Sequence, residues 1–211
     1  MAFDFKQEMK ELYRPGAKPV LAEVPPATFI AVRGHGDPND ESGEYKRSIP
    51  LLYGIAYAIK MSKKGDHRIP GYFDFVVPPL EGLWWQPRLN GMDYSRKDEL
   101  EFVSMIRMPA FVTEEELVWA KSETARKKKG DFGKVELINI EEGLCVQCMH
   151  LGPYDNEPET VAKMHEFAES QGYAPDFSDE RRHHEIYLGD PRKTAPDKLK
   201  TVVRHPVKPI G

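Results

Sequence analysis

The chain has 211 residues, 40% of them hydrophobic and 30% charged, which is enough apolar material to bury a core and too much for intrinsic disorder. Thirty Lys and Arg against 34 Asp and Glu leave a formal net charge of −4, so a protein built to grip phosphate backbones is a poor reading. The longest apolar run, Leu51 to Ile59, falls far short of the ~20 residues of a membrane helix, and Asp4, Lys6 and Glu8 interrupt any signal-peptide apolar region. The expectation is a cytoplasmic protein with neither nucleic acid nor membrane as partner.

Residues 1–26 combine an amphipathic turn, carrying Phe3, Phe5, Met9 and Leu12, with Pro15, Pro19, Pro25 and Pro26. Prolines block a regular helix, so this reads as an arm wrapped over a domain spanning 27–211. Thr28 to Arg33 has the β-branched and aromatic content of a strand, ended by Gly34, Gly36 and Pro38. Asp40 or Ser42 is placed to cap the helix that follows, in which Leu52, Ile55, Ala56 and Ile59 fall at helical spacing, with Pro50 opening or kinking it. Tyr72 to Val77 and Gly82 to Gln86 read as two strands, and Phe102 to Ile106 as another. Thr113 and Glu116 form a capping box for a helix running to Lys129, where the run Arg126 to Lys129 suits a helix C-terminus.

The second half repeats this order: a strand from Gly143 to Met149, a loop through Gly152-Pro153-Tyr154, a helix from about Pro158 to Gln171, and strands His184 to Leu188 and Thr201 to Arg204. The pairs Asp74-Phe75-Val76 and Glu185-Ile186-Tyr187 take the same place in the two halves, about 27–90 and 143–206. The fold class expected is α+β: duplicated strand-helix-strand-strand units joined into one curved antiparallel sheet, with helices on one face and a ligand groove on the other. Cys145 and Cys148 have C-x-x-C spacing, but no second pair completes a zinc site, and on a strand they face opposite ways. They read as two buried thiols.

The segment from Gly143 to Tyr154, with its H-x-G-P-Y loop at 150–154, the helix after it, and the strand His184 to Asp190 resemble the GyrI-like small-molecule-binding domain, found also as the effector domain of multidrug-responsive transcription regulators. The resemblance runs from Ala27 to Pro206. Pro78 to Trp85 resembles a stand-alone branch, and the arm is too short and proline-rich for the regulators' helix-turn-helix. The resemblance implies a groove for flat hydrophobic or cationic compounds, lined by aromatic side chains around a glutamate that Glu185 matches.

Strand alternation places Glu185 and Tyr187 on one face and Ile186 and Leu188 on the other; if the apolar pair lies against the helices, Glu185 faces the groove. An apolar setting disfavours its charged form and suits it to pair with a cation or take a proton from water. Trp84 and Trp85 are adjacent on a strand, so one of them faces the groove; which one is open. Tyr72, Tyr154 and Tyr187 complete an aromatic box, while Tyr53 and Tyr57 read as packing residues. His183 and His184 alternate faces and cannot share a metal, no metal motif occurs, and no G-x-S-x-G, phosphate-loop or dinucleotide fingerprint calls for a cofactor. Some stand-alone members of the resembled family hydrolyse cyclopropanoid DNA-alkylating compounds, which implies that activity here, with Glu185 and Tyr187 catalytic and Trp84, Trp85, Tyr72 and Tyr154 binding ligand. The alternatives are a protein that only sequesters such compounds and a gyrase-inhibitor-like protein that acts by contact with a partner.

Overall fold

Alternation of apolar residues along Ala27–His35 builds strand β2, which buries Ile30 and Val32 on one face and Phe29 and Ala31 on the other. The computed structural model describes every residue except Asn90, Gly91, Tyr94 and Lys129. Around β2 it places β1 (Val20–Val24), β3 (Leu80–Trp85), β4 (Glu101–Met108), β5 (Glu136–Ile140), β6 (Gly143–Leu151), β7 (Tyr173–Pro175), β8 (His183–Tyr187) and β9 (Lys200–Pro209). The described α-helices are α1 (Phe5–Glu8), α2 (Lys10–Tyr13), α3 (Glu44–Met61), α4 (Glu114–Lys128) and α5 (Glu157–Ser170). The expected end of α4 at Lys129 lies outside the described residues. No described helix is long and apolar enough to cross a membrane.

The strands form one open antiparallel sheet in the order β1-β6-β9-β8-β3-β4-β2-β5, with β7 paired to β9. Its centre is palindromic. The unit β2-α3-β3-β4 meets the unit β6-α5-β8-β9 through the antiparallel pair β3 and β8, where Gly82 lies opposite Glu185 and Trp84 opposite His183. The leading strands are exchanged: β1 pairs with β6 of the second unit and β5 with β2 of the first. The expected α+β class, with its duplicated units in one antiparallel sheet, is the observed architecture.

Three local expectations are corrected. Tyr72 to Val77 is extended chain with a single bridge from Phe75 to Phe3, so the counterpart of β8 is β3, not Asp74-Phe75-Val76. Only beyond Pro78 and Pro79 does the chain join the sheet, at Leu80. The expected close of the first half near residue 90 falls beside residues outside the description, and β4, which completes the unit, lies beyond it. Neither Asp40 nor Ser42 caps α3; Gly43 holds that position, while the Asp40 carboxylate accepts from the Ser42 amide and hydroxyl at 2.8 and 2.9 Å. The helix then runs through Pro50.

Helix α3 buries Leu52, Ile55, Ala56 and Ile59 against β2 and β4, and α4 packs Leu117 and Ala120 onto it. Each fully buried aliphatic side chain contributes about 1.5–3 kcal/mol. Helix α5 covers Val146, Cys148 and Val203 on the same side of the sheet with Met164 and Ala168. The opposite face of the second unit is sealed by the arm, whose Phe5, Leu12 and Tyr13 pack on Cys145, Ile186 and Val202. The two cysteines are free, buried and on opposite faces.

Candidate functional site

At the seam of the two units, β8 carries His183, Glu185 and Tyr187 on the face that bears α3 and α5. Tyr45 of α3 packs on Trp84 of β3 with ring centroids 5.1 Å apart, and Ser48 donates to Ser104 on β4 at 2.9 Å, which fixes this side as the helix side. Glu185 therefore lies between the helices and not on a face away from them. The reason is the arm: Ile186, expected to pack against the helices, has α1 and α2 to pack against instead.

Opposite Glu185, Gly82 offers no side chain, and a Cβ there would meet the Trp84 indole nitrogen at 2.7 Å and the Tyr187 hydroxyl at 3.0 Å. A strand glycine marks a place of close approach. The Trp84 indole N–H donates to the Tyr187 hydroxyl at 2.9 Å, and Tyr45 and Glu185 are that hydroxyl's polar neighbours. Tyr154 stands edge-on to Tyr187 with centroids 6.0 Å apart. It is delivered by the H-x-G-P-Y loop: the His150 ring donates from Nε2 to the Pro153 carbonyl at 2.9 Å and accepts at Nδ1 from Thr160 at 2.8 Å, pinning the loop to α5.

Glu185 is 8% exposed and His183 4%. His183 Nε2 lies 3.1 Å from Glu185 Oε1 and 3.2 Å from Glu157 Oε1, the latter in the first turn of α5. Burial raises the Glu185 carboxyl above its ordinary value, and the neighbouring Glu157 raises it further, against the hydrogen bonds of His183 and Tyr187. Burial alone would keep His183 neutral, but the two carboxylates override it and hold the imidazolium up to about 10. Burial with Glu185 and Glu157 pushes the Tyr154 phenol up to about 12. The donor atoms of Glu157, His183 and Glu185 lie within 4.8 Å of one another. Since His183 Nε2 is committed as a donor to both carboxylates, the trio is satisfied as a paired imidazolium and does not present itself as a ligand set.

The candidate residues thus divide. Glu185, Tyr187, Trp84 and Tyr154 come together. Trp85 does not join them: it points to the other face, with the Arg182 guanidinium 4.7 Å from its ring centroid. Tyr72 lies beyond the end of α3, donating its hydroxyl to the Lys60 carbonyl at 2.6 Å and packing on Phe111. Residue type alone points to both, and only the register of β3 and the path of the 70s loop separate them from the site. Glu157, Tyr45, Gly82 and His205 went unrecognised. A signal existed for one pair: His183 and His205 sit on adjacent strands, directly opposite each other.

A second buried polar layer lies beneath the sheet. His184 Nε2 is 3.0 Å from Glu81 and its Nδ1 2.9 Å from Glu142; Arg204 donates to Glu142 at 2.7 Å and to Gln147 at 3.0 Å, and Tyr13 donates to Glu81 at 3.0 Å. It ties the arm to the seam. On that face too, a depression of about 370 Å³ lies among Phe3, Phe5, Phe73, Arg107 and Met108.

An open, palindromic antiparallel sheet with an acidic, aromatic centre between two helices defines a small-molecule-binding domain of duplicated βαββ units. Residues 17–208 match the GyrI-like small molecule binding domain, and the chain belongs to that family. A hydrolase from Listeria innocua is 48% identical with a TM-score of 0.89, over 98% of this chain and 100% of its own. A conserved protein of uncharacterised role from the same organism is 49% identical, with a TM-score of 0.91 and the same coverage. The EcmrR C-terminal domain shares the fold at 16% identity and a TM-score of 0.58, over 91% of this chain and 98% of its own. A comparison with curated protein sequences finds no match.

Proposed function

We propose that the protein binds flat hydrophobic or cationic aromatic compounds between α3 and α5 and hydrolyses cyclopropanoid alkylating agents there, without a cofactor. The observation that carries this reading is Glu185, a buried carboxyl with a raised proton affinity, on the same strand face as Tyr187 and set among Trp84, Tyr45 and Tyr154. The hydrolase from Listeria innocua, alike over the whole chain, supports hydrolysis as the reaction class.

The proposed chemistry closes on itself. Glu185 takes one proton from water as the oxygen attacks a cyclopropane carbon; the C–C bond opens, and its electron pair passes into the conjugated ketone, whose oxygen becomes an anion. Tyr187, beside Glu185, donates to that oxygen and is reprotonated by Glu185. General-base assistance of this kind is worth about 10²–10⁴-fold, and a fixed donor at the developing anion adds to it. Because ring strain lowers the barrier, positioning does much of the rest.

Incubating the protein with a cyclopropanoid compound and weighing the product tests the reading. Gain of one water at catalytic turnover supports it; a stoichiometric complex with unchanged compound identifies a sequestering protein instead.

A further inference from the structure

Glu185 is one end of a chain of hydrogen bonds that the proposed chemistry does not use. His183 Nδ1 lies 2.6 Å from His205 Nε2, and His205 Nδ1 lies 2.7 Å from His165 Nε2. His183 and His205 are buried at 4% and 3% exposure, whereas His165, on α5, is half-buried and forms the outer end. Phe177 stands edge-on to His205 at 4.9 Å. We propose that His183, His205 and His165 form a proton-exchange path between the buried Glu157–Glu185 pair and solvent, by which His183 gives up and regains one proton as Glu185 is protonated and deprotonated.

The positions of the hydrogens follow from the partners. Carboxylates accept, so Nε2 of His183 carries a hydrogen toward Glu157 and Glu185. Paired with two carboxylates, His183 carries a second hydrogen on Nδ1 and donates it to His205 Nε2. His205 then holds its hydrogen on Nδ1, toward His165 Nε2, and His165 holds its own on Nδ1. With His183 charged, this assignment satisfies every bond. Burial and the positive His183 keep both His205 and His165 below the ordinary imidazole value, so they stay neutral and able to accept.

The transfer balances. His183 Nδ1–H passes to His205 Nε2, His205 Nδ1–H to His165 Nε2, and His165 Nδ1–H to water; three neutral rings remain, each with its hydrogen on Nε2, and the reverse sequence restores the start. The physical drive is charge. With both carboxylates ionised and His183 protonated, the buried cluster carries −1. A proton arriving on Glu185 removes one of the two attractions that hold the His183 proton, and its release returns the cluster to −1. Without the path, the cluster's charge shifts by one unit each time Glu185 takes up or gives back a proton, in a medium that screens charge poorly. His205 and His165 act through His183, so they are positioning residues.

The exchange itself is measurable without substrate, so the inference rests on the proposed hydrolysis only for its use in turnover. In ¹⁵N-histidine-labelled protein, the His183 ring N–H should exchange with water at least tenfold more slowly in His165→Ala and in His205→Phe than in the wild type. His165→Ala, at the half-buried end, is the variant least threatened by misfolding. Where hydrolysis is observed, His165→Ala should lower kcat several-fold with KM unchanged, and imidazole in the buffer should restore it; a merely structural histidine is not rescued. Exchange unchanged in His165→Ala overturns the path whatever the protein hydrolyses. Slowed exchange in His165→Ala, alongside a wild type that hydrolyses nothing, keeps the path and removes the hydrolytic reading.

Discussion

At the scale of residues, the seam separates two neighbours of the same type. Trp84 is 4% exposed and bound to Tyr187, whereas Trp85 lies across the sheet under Arg182. Titrating a flat aromatic cation should therefore change tryptophan fluorescence in the wild type and in Trp85→Phe, and leave little change in Trp84→Phe, where affinity falls by about 1 kcal/mol for the lost ring face and indole contact. A response kept by Trp84→Phe and lost from Trp85→Phe would put the ligand on the arm side. Glu185 and its neighbour Tyr187 could be read from strand alternation because a period of two fixes which residues share a face. That pattern does not say which layer covers the face, and here the arm takes the side on which Ile186 lies.

At the scale of elements, the β3–β8 pair holds the site because Gly82 leaves room for Trp84 and Tyr187 to meet. Gly82→Ala places a methyl where the indole nitrogen and phenol oxygen now stand. Overpacking of this kind costs about 1–3 kcal/mol. Urea unfolding should show that loss, and ligand affinity should fall with it; full stability with normal affinity would mean that the Trp84–Tyr187 contact is dispensable. Helices were the more legible elements: α3 and α5 carry their apolar stripes in the sequence, and Thr113 accepts from the Glu116 amide at 3.4 Å at the start of α4. The edge strands were hidden for different reasons. Val20–Val24 lies between Pro19 and Pro25 and pairs with a strand over 100 residues away, so nothing local identifies it. Glu136–Ile140 is short and does not alternate, since Leu137 and Ile138 are adjacent, and its partner β2 is also over 100 residues away.

At the scale of the whole molecule, two buried charge layers, one on each side of the central strands, make stability depend on pH in both directions. Burial would raise Glu142, but His184 and Arg204 hold it down at about 2 against an ordinary 4.5. Its contribution is present above pH 4.5 and is lost as pH falls toward 2. His183, held up to about 10 against 6.5, contributes below pH 6.5 and loses that contribution as pH rises toward 10. Glu142→Gln, which breaks a buried pair, should cost about 3–5 kcal/mol at neutral pH and shrink the acid limb of a stability–pH curve. His183→Gln should flatten the alkaline limb, and an unchanged alkaline slope would show that His183 does not carry the charge assigned to it. The central claim is narrower: the carboxylate at the seam activates water. It is tested most directly by following hydration of a neutral cyclopropanoid compound in isotopically heavy water by wild-type protein and by Glu185→Gln, with affinity measured for both. The account predicts a labelled hydroxyl on the opened carbon with the wild type, a rate lower by about a hundredfold or more in the variant, and affinity little changed. Hydration by Glu185→Gln at the wild-type rate would contradict it.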